Sequence, residues 1–299
     1  MLAYATSRKG LKCNGMYDCL TSRNAIRLRH SIFHTVFFVD KSKRNTLLLL
    51  SGLGAGYFAI RNIPDLIPQR LNFTEVAEPA GFRKFVAGEY SSAAGNPFVG
   101  LDGAEDEAVR VAKKNADARV RADVCAALYG GVDFGPDQVP IASFSDYYCP
   151  FCRVQTKKLA ELAKAREGDI AVAWHELPLL GENSDIAARA ALAAKRQGAY
   201  VEFHDQLMRS AFVATPEYLA SLSENIGVDE ERLVSDMASA DVEVELQDSA
   251  ALSRLFAFVG TPALVIGRTI IQGQVSDATI NKIIALEREE GWAAQCGTA

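Results

Sequence analysis

The sequence predicts an α/β domain whose central sheet carries an all-helical insertion. Two short apolar segments, VPIASFS at 139–145 and DIAVAWHEL at 169–177, have the composition of buried strands and flank one helical segment. Helical patterns follow over about 179–259, then strand segments over 263–273 and a final helix over 278–290. Because strands and helices alternate along the chain, we expect them to share one layered core.

Charge and apolar spacing predict the first helices of this domain. A charged, Ala-rich pattern over 105–128 predicts a helix that ends before Gly130 and Gly131. Between the first two strands, the apolar residues of 153–166 recur at the spacing of an amphipathic helix. This helix therefore has one face available for packing against the sheet.

Capping residues divide the insertion into several helices. Ser184 is a candidate cap before an Ala-rich segment that stops at Gly198, and Thr215 precedes a proline at a first helical position. Asp229 is a further candidate cap, and 242–259 predicts a longer helix. The insertion is therefore expected to be entirely helical.

Length and composition exclude several classes of protein. The chain has 299 residues, of which 49% are hydrophobic and 23% charged, as is usual for a globular protein. This composition excludes a mostly disordered chain and a multi-span membrane protein. A formal net charge of −5 at pH 7 argues against a general nucleic-acid binder.

The N-terminal segment has the charge and hydropathy pattern of an export signal. Residues 1–45 contain nine Lys or Arg residues and two acidic residues, whereas the whole chain contains 32 and 37. The fifteen residues of 46–60 then carry no charge, as in a secretory signal, whereas a bilayer span needs about 20 residues. We expect export, with the run either cleaved or kept as a signal anchor that contacts the membrane. A buried core helix and an organellar presequence are the alternatives.

These patterns predict the domain organisation of the chain. The segments rich in proline and small residues lie between the apolar run and the first helix and read as a linker. The expected divisions are a basic N-terminal segment with the signal or anchor over 1–61, a linker over 62–104, the compact domain over 105–292 and a C-terminal tail over 293–299.

Cys149 and Cys152 form a C-x-x-C motif at the junction of the first strand and the following helix. This position places the first sulfur at a helix N-terminus, where unpaired N–H groups and the helix dipole favour a thiolate of lowered pKa. The second sulfur is expected one turn further on, shielded and close enough to form a disulfide. Pro150 suits an early helical position because its missing N–H is not needed there. We therefore predict thiol–disulfide exchange at this pair.

Metal binding is the alternative use of this spacing. Structural zinc sites usually need a second pair of ligands, and the compact domain contains no other C-x-x-C or H-x₃₋₅-H pair. A soft-metal or copper-handling module that uses Cys149 and Cys152 is the second hypothesis.

Thr261 and Pro262 stand at the entry of the strand segment 263–267, which is predicted to pair with 269–273 in a hairpin. A proline after a threonine at this place is a candidate cis peptide. Beside a C-x-x-C motif, a cis-proline exposes backbone groups that can pair with an extended peptide. An ordinary strand-entry proline is the alternative.

Four segments together resemble the DsbA-like branch of the thioredoxin superfamily. They are SFSDYYCPFCR, WHELPLLGENSDIAARAALAA, YVEFHDQLM and VGTPALVIG, and the resemblance covers about 139–290. It implies a thioredoxin fold, a mixed sheet flanked by helices, with the insertion between the second strand and the cis-proline hairpin. It also implies a protein thiol:disulfide oxidoreductase of the bacterial periplasm, tethered to the inner membrane if the signal is uncleaved.

The resemblance implies a role for each residue around the motif. Cys149 would form a mixed disulfide with the substrate protein, and Cys152 would resolve it. Strongly oxidising relatives typically carry a histidine where Phe151 stands, so the oxidase, isomerase and reductase directions all stay open. The substrate would be contacted by Thr261, Pro262, Pro150 and Phe151.

The resemblance also sets the expected partners. We expect no bound cofactor, because the redox centre is the cysteine pair itself. The partners would be unfolded or folding cysteine-containing proteins and a membrane or periplasmic redox partner that resets the pair, with no nucleic acid. A glutathione-using relative and a non-catalytic interaction domain are less favoured readings of the same fold.

Cys125 and Cys296 are the remaining cysteines beyond the N-terminal segment. An even number of cysteines in an exported domain makes a structural disulfide between them one hypothesis and two free or buried thiols the other. Cys13 and Cys19 are expected to stay reduced on the cytoplasmic side.

Several polar residues near the motif have structural rather than catalytic interpretations. Asp146 and Glu176 are expected to be solvated acids or turn caps at strand ends, with a proton relay to the resolving thiol as the alternative for Asp146. His204 is expected to be a packed, hydrogen-bonded histidine. Tyr147 and Tyr148 are expected either to form an apolar rim for substrates or to pack into the core.

Overall fold

The computed structural model describes residues 71–86, residues 106–292 apart from 136 and 210, and residue 296, together with residues 46, 48, 50–52, 56 and 57. The chain divides into two compact units, Met1–Pro68 and Gln69–Ala299. The described residues of the first unit are helical. The basic segment 1–45 and the rest of the expected signal lie outside the described residues. No helix in the described part of the chain is long and apolar enough to cross a membrane.

The second unit is built on a mixed sheet of six strands, whose order is β1-β2-β6-β5-β3-β4. The parallel pairs are β3 with β4 and β2 with β6, and the other neighbours are antiparallel. This sheet, flanked by helices, confirms the predicted fold class. The strands are β1 Phe73–Glu75, β2 Arg83–Phe85, β3 Val139–Ser145, β4 Ile170–Glu176, β5 Ala263–Ile266 and β6 Thr269–Gln272.

Helices precede the sheet's central strands, connect them and fill the insertion. The side chains of Thr215, Asp229 and Ser276 each accept a hydrogen bond from the backbone N–H three residues on, as helix caps do. Ser184 is not a cap, because its helix begins at Glu182 and has Gly181 as its N-cap. The helices are α1 Glu107–Ala122, α2 Val124–Tyr129, α3 Pro150–Ala165, α4 Glu182–Lys195, α5 Tyr200–Arg209, α6 Pro216–Ile226, α7 Glu230–Met237, α8 Ala240–Leu255 and α9 Asp277–Glu289.

Part of the segment predicted as linker, 62–104, belongs to the sheet. β1 and β2 form a hairpin whose second strand pairs with β6. Each strand has three residues, which is too short for an alternating pattern to stand out in the sequence. Arg83 and Phe85 of β2 are buried. The compact unit therefore extends towards the N-terminus beyond the expected boundary at 105.

The single helix predicted over 105–128 is two helices. Asp123 interrupts it with an extended backbone conformation, and its carboxylate accepts a hydrogen bond from the Ala126 N–H at 2.8 Å. Aspartate favours such caps because its short side chain satisfies an otherwise unpaired N–H. The break separates α1 from the short helix α2, which carries Cys125.

The strand β3 lies at the centre of the hydrophobic core, and all of its residues are buried. Phe144 belongs to a cluster that includes Leu252 of α8, and Ile141 to a second cluster that includes Leu159 of α3. The helical insertion has a cluster of its own around Phe203. Helices therefore cover β3 on both faces. α3 begins at Pro150, five residues after the last residue of β3.

Candidate active site

Cys149 lies in the turn between β3 and α3, as its position in the sequence predicts. It is the N-cap of α3, and its Sγ accepts a hydrogen bond from the backbone N–H of Cys152 at 3.1 Å. Pro150 lies in the first turn, where a missing N–H costs no helical hydrogen bond. The helix therefore presents a donor and the positive end of its dipole to this sulfur, and both favour a thiolate.

The two active-site cysteines are buried thiols that are not joined by a disulfide, so the pair is reduced. Burial, followed by the hydrogen bond with Cys149, raises the pKa of the Cys152 thiol well above its usual range. Cys152 therefore stays protonated under conditions in which a thiolate forms at Cys149. The asymmetry makes Cys149 the chemically favoured nucleophile of the pair.

The loop before β5 contacts the cysteine pair directly. The Thr261–Pro262 peptide bond is cis, the conformation that the sequence made a candidate. The thiol of Cys149 donates a hydrogen bond to the Thr261 carbonyl oxygen, with 3.4 Å between Sγ and oxygen. The loop therefore places main-chain polar groups beside the sulfur at which a substrate would react.

Gln272 on β6 holds this loop, a role that sequence reasoning missed. Its Oε1 accepts a hydrogen bond from the Val259 N–H, and its Nε2 donates to the Gly260 carbonyl oxygen, each at 3.0 Å. A glutamine at the end of a strand gives no local signal of this kind, because both partners lie in the loop that precedes the hairpin. The amide fixes the approach of the chain to the cis-proline.

Asp146 fixes the turn that precedes the cysteine pair. Its Oδ1 accepts hydrogen bonds from the Tyr148 N–H at 2.7 Å and the Ser184 hydroxyl at 2.8 Å. Its Oδ2 accepts from the N–H groups of Leu179 and Leu180 at 2.7 and 3.0 Å. Asp146 is therefore a turn cap, as expected, but a buried one rather than a solvated acid.

Glu176 is buried, so the expectation of a solvated acid is wrong for this residue. Its Oε1 accepts hydrogen bonds from the hydroxyl groups of Tyr147 and Tyr200, each at 2.6 Å. The Tyr147 hydroxyl also lies 2.7 Å from Nδ1 of His204, which is packed and hydrogen-bonded as predicted. Burial and the Glu176 carboxylate raise the pKa of both tyrosines well above the usual value. This cluster anchors Tyr147 in the core, so it is not part of an apolar rim.

Tyr148 and Arg153 connect the active-site turn to the segment after α5. The Tyr148 ring lies 5.1 Å from that of Phe212, and its hydroxyl accepts a hydrogen bond from the Ala214 N–H at 2.9 Å. Arg153 donates through Nε and Nη2 to the Tyr147 carbonyl oxygen, both at 3.1 Å. The helical insertion thus supports one side of the cysteine motif.

Comparison with known proteins agrees with this geometry. Residues 140–285 match the family described as the DSBA-like thioredoxin domain. A thioredoxin-like oxidoreductase from Silicibacter pomeroyi DSS-3 has 31% sequence identity and a TM-score of 0.51, covering 55% of this chain and 97% of that chain. The chain belongs to the DsbA-like thioredoxin family. At a general level, the DsbA-like fold supports thiol–disulfide oxidoreductase activity.

Two further relatives show how far the similarity extends. The compact conformation of ScsC from Proteus mirabilis has 26% identity and a TM-score of 0.51, covering 62% of this DsbA-like chain and 88% of that chain. The Na(+)/H(+) antiporter NhaA 1 of Salinispora arenicola is 28% identical over 136 residues, or 44% of this chain. The chain spans about a fifth of the length of that relative, 21%. The match therefore concerns only a part of the antiporter.

The DsbA-like fold brings most of the predicted site residues together. Cys149 and Cys152 contact Thr261 of the cis-proline loop, and Pro150 and the half-buried Phe151 lie in the first turn of α3. Cys125 and Cys296 are joined to each other by a disulfide, with 5.2 Å between their Cα atoms. Within the described residues, no group of three His, Cys, Asp or Glu side chains is placed to hold a metal ion.

Proposed function

We propose that this DsbA-like protein is an exported thiol–disulfide oxidoreductase that exchanges disulfides with periplasmic proteins through a mixed disulfide at Cys149. The environment of the Cys149 sulfur is the observation that carries the proposal. The backbone N–H of Cys152 in α3 donates a hydrogen bond to this sulfur at 3.1 Å. The carbonyl oxygen of Thr261 in the cis-proline loop lies 3.4 Å from the same sulfur. The helix N–H donor and the positive end of the helix dipole favour the thiolate that thiol–disulfide exchange requires.

In the oxidising direction, the pair starts as a Cys149–Cys152 disulfide. A substrate thiolate attacks the Cys149 Sγ and forms the mixed disulfide, while the Cys149–Cys152 bond breaks and its electron pair passes to the Cys152 sulfur, which takes up a proton. A second substrate thiolate then attacks the substrate sulfur of the mixed disulfide and releases Cys149 as a thiolate. The substrate loses two electrons to the pair, and the reductase direction runs these steps in reverse.

The cis-proline loop is the proposed substrate platform. Thr261 and Pro262 would pair with an extended segment of the substrate, while Pro150 and Phe151 would contact it from the first turn of α3. The contact between the Cys149 thiol and the Thr261 carbonyl oxygen supports this assignment, because a peptide on the loop would lie beside the reacting sulfur.

Export is the part of the proposal that rests on the sequence. The basic segment 1–45 and the uncharged run 46–60 have the order of a secretory signal. A membrane or periplasmic redox partner would then reset the cysteine pair after each cycle. Cell fractionation of the full-length protein tests this part, because recovery in the cytoplasm would contradict it.

The reduction potential of the Cys149–Cys152 pair tests the chemistry. The full-length protein is equilibrated with glutathione buffers, its thiols are alkylated, and peptide mass spectrometry follows these two cysteines separately from the others. We expect the pair to equilibrate, and a potential above or below that of glutathione assigns the donor or the reductase direction. A pair that does not exchange with glutathione would contradict the proposal.

Trapping of the mixed disulfide tests the role of each cysteine. The Cys152→Ser variant should accumulate a disulfide between Cys149 and substrate proteins, because the resolving thiol is missing. The Cys149→Ser variant is the matched control and should accumulate none. Trapping at Cys152 instead would reverse the assigned roles.

A further inference from the structure

A basic groove lies beside the active-site helix of an otherwise acidic protein. Beyond residue 45 the chain carries 23 basic and 35 acidic residues. Between α3 and α5, however, there is a groove with a volume of about 600 Å³ in which cations outnumber acids. Its charged lining consists of Arg153, Lys157, Lys158 and Arg209 with Glu161 and Asp205.

The groove begins at the cysteine motif. Arg153 directly follows Cys152, and its guanidinium lies 5.9 Å from the centre of the Phe212 ring. From there the groove runs along α3, where Thr156 and Met208 contribute buried side chains to its lining. A segment of a bound protein could therefore enter the groove while a nearby cysteine lies at the active-site pair.

The positive charge of the groove is only partly neutralised. In the described part of the chain, neither Arg153 nor Lys157 forms an ion pair, and the Lys157 side chain is exposed. Lys158 lies 3.9 Å from Asp277, and Arg209 pairs with Asp205 in its own helix at 2.9 Å. Exposed pairs of this kind are weak and can rearrange around a competing carboxylate.

We propose that the groove binds an acidic segment of the protein whose cysteine exchanges with Cys149, so that Asp and Glu residues near the reacting cysteine increase the rate. The inference rests on the proposed function and adds a substrate preference to it. The volume of about 600 Å³ and the excess of four cations over two acids in its lining suit a few carboxylates of a peptide. A nucleic acid or an anionic membrane presents charge over a much larger area, where the acidic remainder of the protein would repel it.

Exchange rates with charged peptides test this preference. The full-length protein is reacted with three peptides of otherwise identical sequence. The residues that flank the cysteines are glutamates in the first peptide, lysines in the second and serines in the third. The peptides are used as dithiols or disulfides according to the measured potential. We expect the glutamate peptide to react roughly five to ten times faster than the lysine peptide at low ionic strength. We expect this ratio to approach one in about 1 M salt, where the screening length is short.

The net charge of the protein makes this test sharp, because an acidic protein without a specific site would favour the lysine peptide. The combined variant Lys157→Glu with Arg209→Glu should bring the glutamate-to-lysine ratio below one. The matched control, Lys164→Glu with Lys114→Glu, makes the same change in net charge outside the groove and should retain the ratio. An equal loss in both variants would overturn the proposal.

Three other outcomes also overturn the inference, each in a distinguishable way. If the protein exchanges with glutathione and the serine peptide but shows no preference for the glutamate peptide, the groove does not bind acidic segments, while the proposed function stands. If the protein exchanges with neither glutathione nor any peptide, both the substrate preference and the proposed function are contradicted. Binding to phosphatidylglycerol vesicles that Lys157→Glu with Arg209→Glu abolishes, without a glutamate preference in the native protein, would assign the groove to a membrane surface.

Discussion

The two active-site thiols lie one helical turn apart but have opposite electrostatic surroundings. Cys149 receives an N–H hydrogen bond at the helix N-terminus, whereas burial keeps the Cys152 thiol protonated by raising its pKa. Since only thiolates react rapidly with alkylating agents, we expect iodoacetamide at pH 7 to label Cys149 of the reduced protein first. Peptide mass spectrometry at short reaction times measures this order. In the folded Cys149→Ser variant, Cys152 should remain almost unlabelled. Equal labelling of both thiols in the unsubstituted protein would contradict the assignment.

His175 is a second residue whose protonation depends on its packing. Its Nε2 lies 2.9 Å from the Leu128 carbonyl oxygen, and its ring stacks on Phe144 at 4.5 Å. Burial lowers the pKa of His175 to about 4. The unfolded chain has the higher pKa and binds the proton more tightly, so acid favours unfolding.

The free energy of unfolding should therefore decrease as the pH falls from about 6.5 towards 4. Because the His175 side chain is only half-buried, we expect this residue to contribute about 1–2 kcal/mol to the loss. Urea denaturation at pH 7 and pH 4.5 measures it. His175→Gln should be less sensitive to this pH change than the native protein, and an identical decrease in both would show that other groups cause it.

The β1–β2 hairpin is attached to the rest of the domain by an ion-pair network as well as by its strands. Arg83 donates to Glu287 and Glu290 at 2.6 Å each, and its Nε donates to the Thr269 hydroxyl at 2.8 Å. The Glu287 side chain is fully buried. A buried carboxylate needs such partners, because an uncompensated charge in the interior costs several kcal/mol. The network therefore makes the hairpin a structural part of the DsbA-like domain.

Replacement of Arg83 should destabilise the whole domain. We expect Arg83→Met to lower the free energy of unfolding by about 3 kcal/mol, at the lower end for a broken buried pair because Arg268 also lies near Glu287. Urea denaturation at pH 7 measures the change. Arg110→Met is the matched control, since Arg110 pairs with Glu107 in an exposed position, and it should cost less than about 0.5 kcal/mol. Similar effects of the two substitutions would contradict the buried network.

Across the whole molecule, the features that the sequence predicted are those encoded locally. The β3–α3–β4 order and the C-x-x-C position follow from short apolar segments, a helical period and one proline. The hairpin was missed because its strands are short and its attachment through Arg83 and Glu287 joins residues 204 positions apart. The burial of Glu176 was missed for a similar reason, since Tyr147 lies 29 residues away in the sequence. Long-range hydrogen bonds of this kind decide which polar residues enter the core, and no local pattern records them.

The disulfide between Cys125 and Cys296 connects the beginning and end of the DsbA-like domain, and the two cysteines are 171 positions apart in the sequence. A cross-link over so long a loop restricts the unfolded chain and typically adds about 3–5 kcal/mol to stability. We expect Cys125→Ala with Cys296→Ala to lower the free energy of unfolding by that amount in urea without reductant. Glutathione exchange at Cys149 and Cys152 is the internal control that the variant has folded. An unchanged unfolding curve would mean that the native protein gains no stability from this bond, and the domain would then depend on its core and the Arg83 network alone.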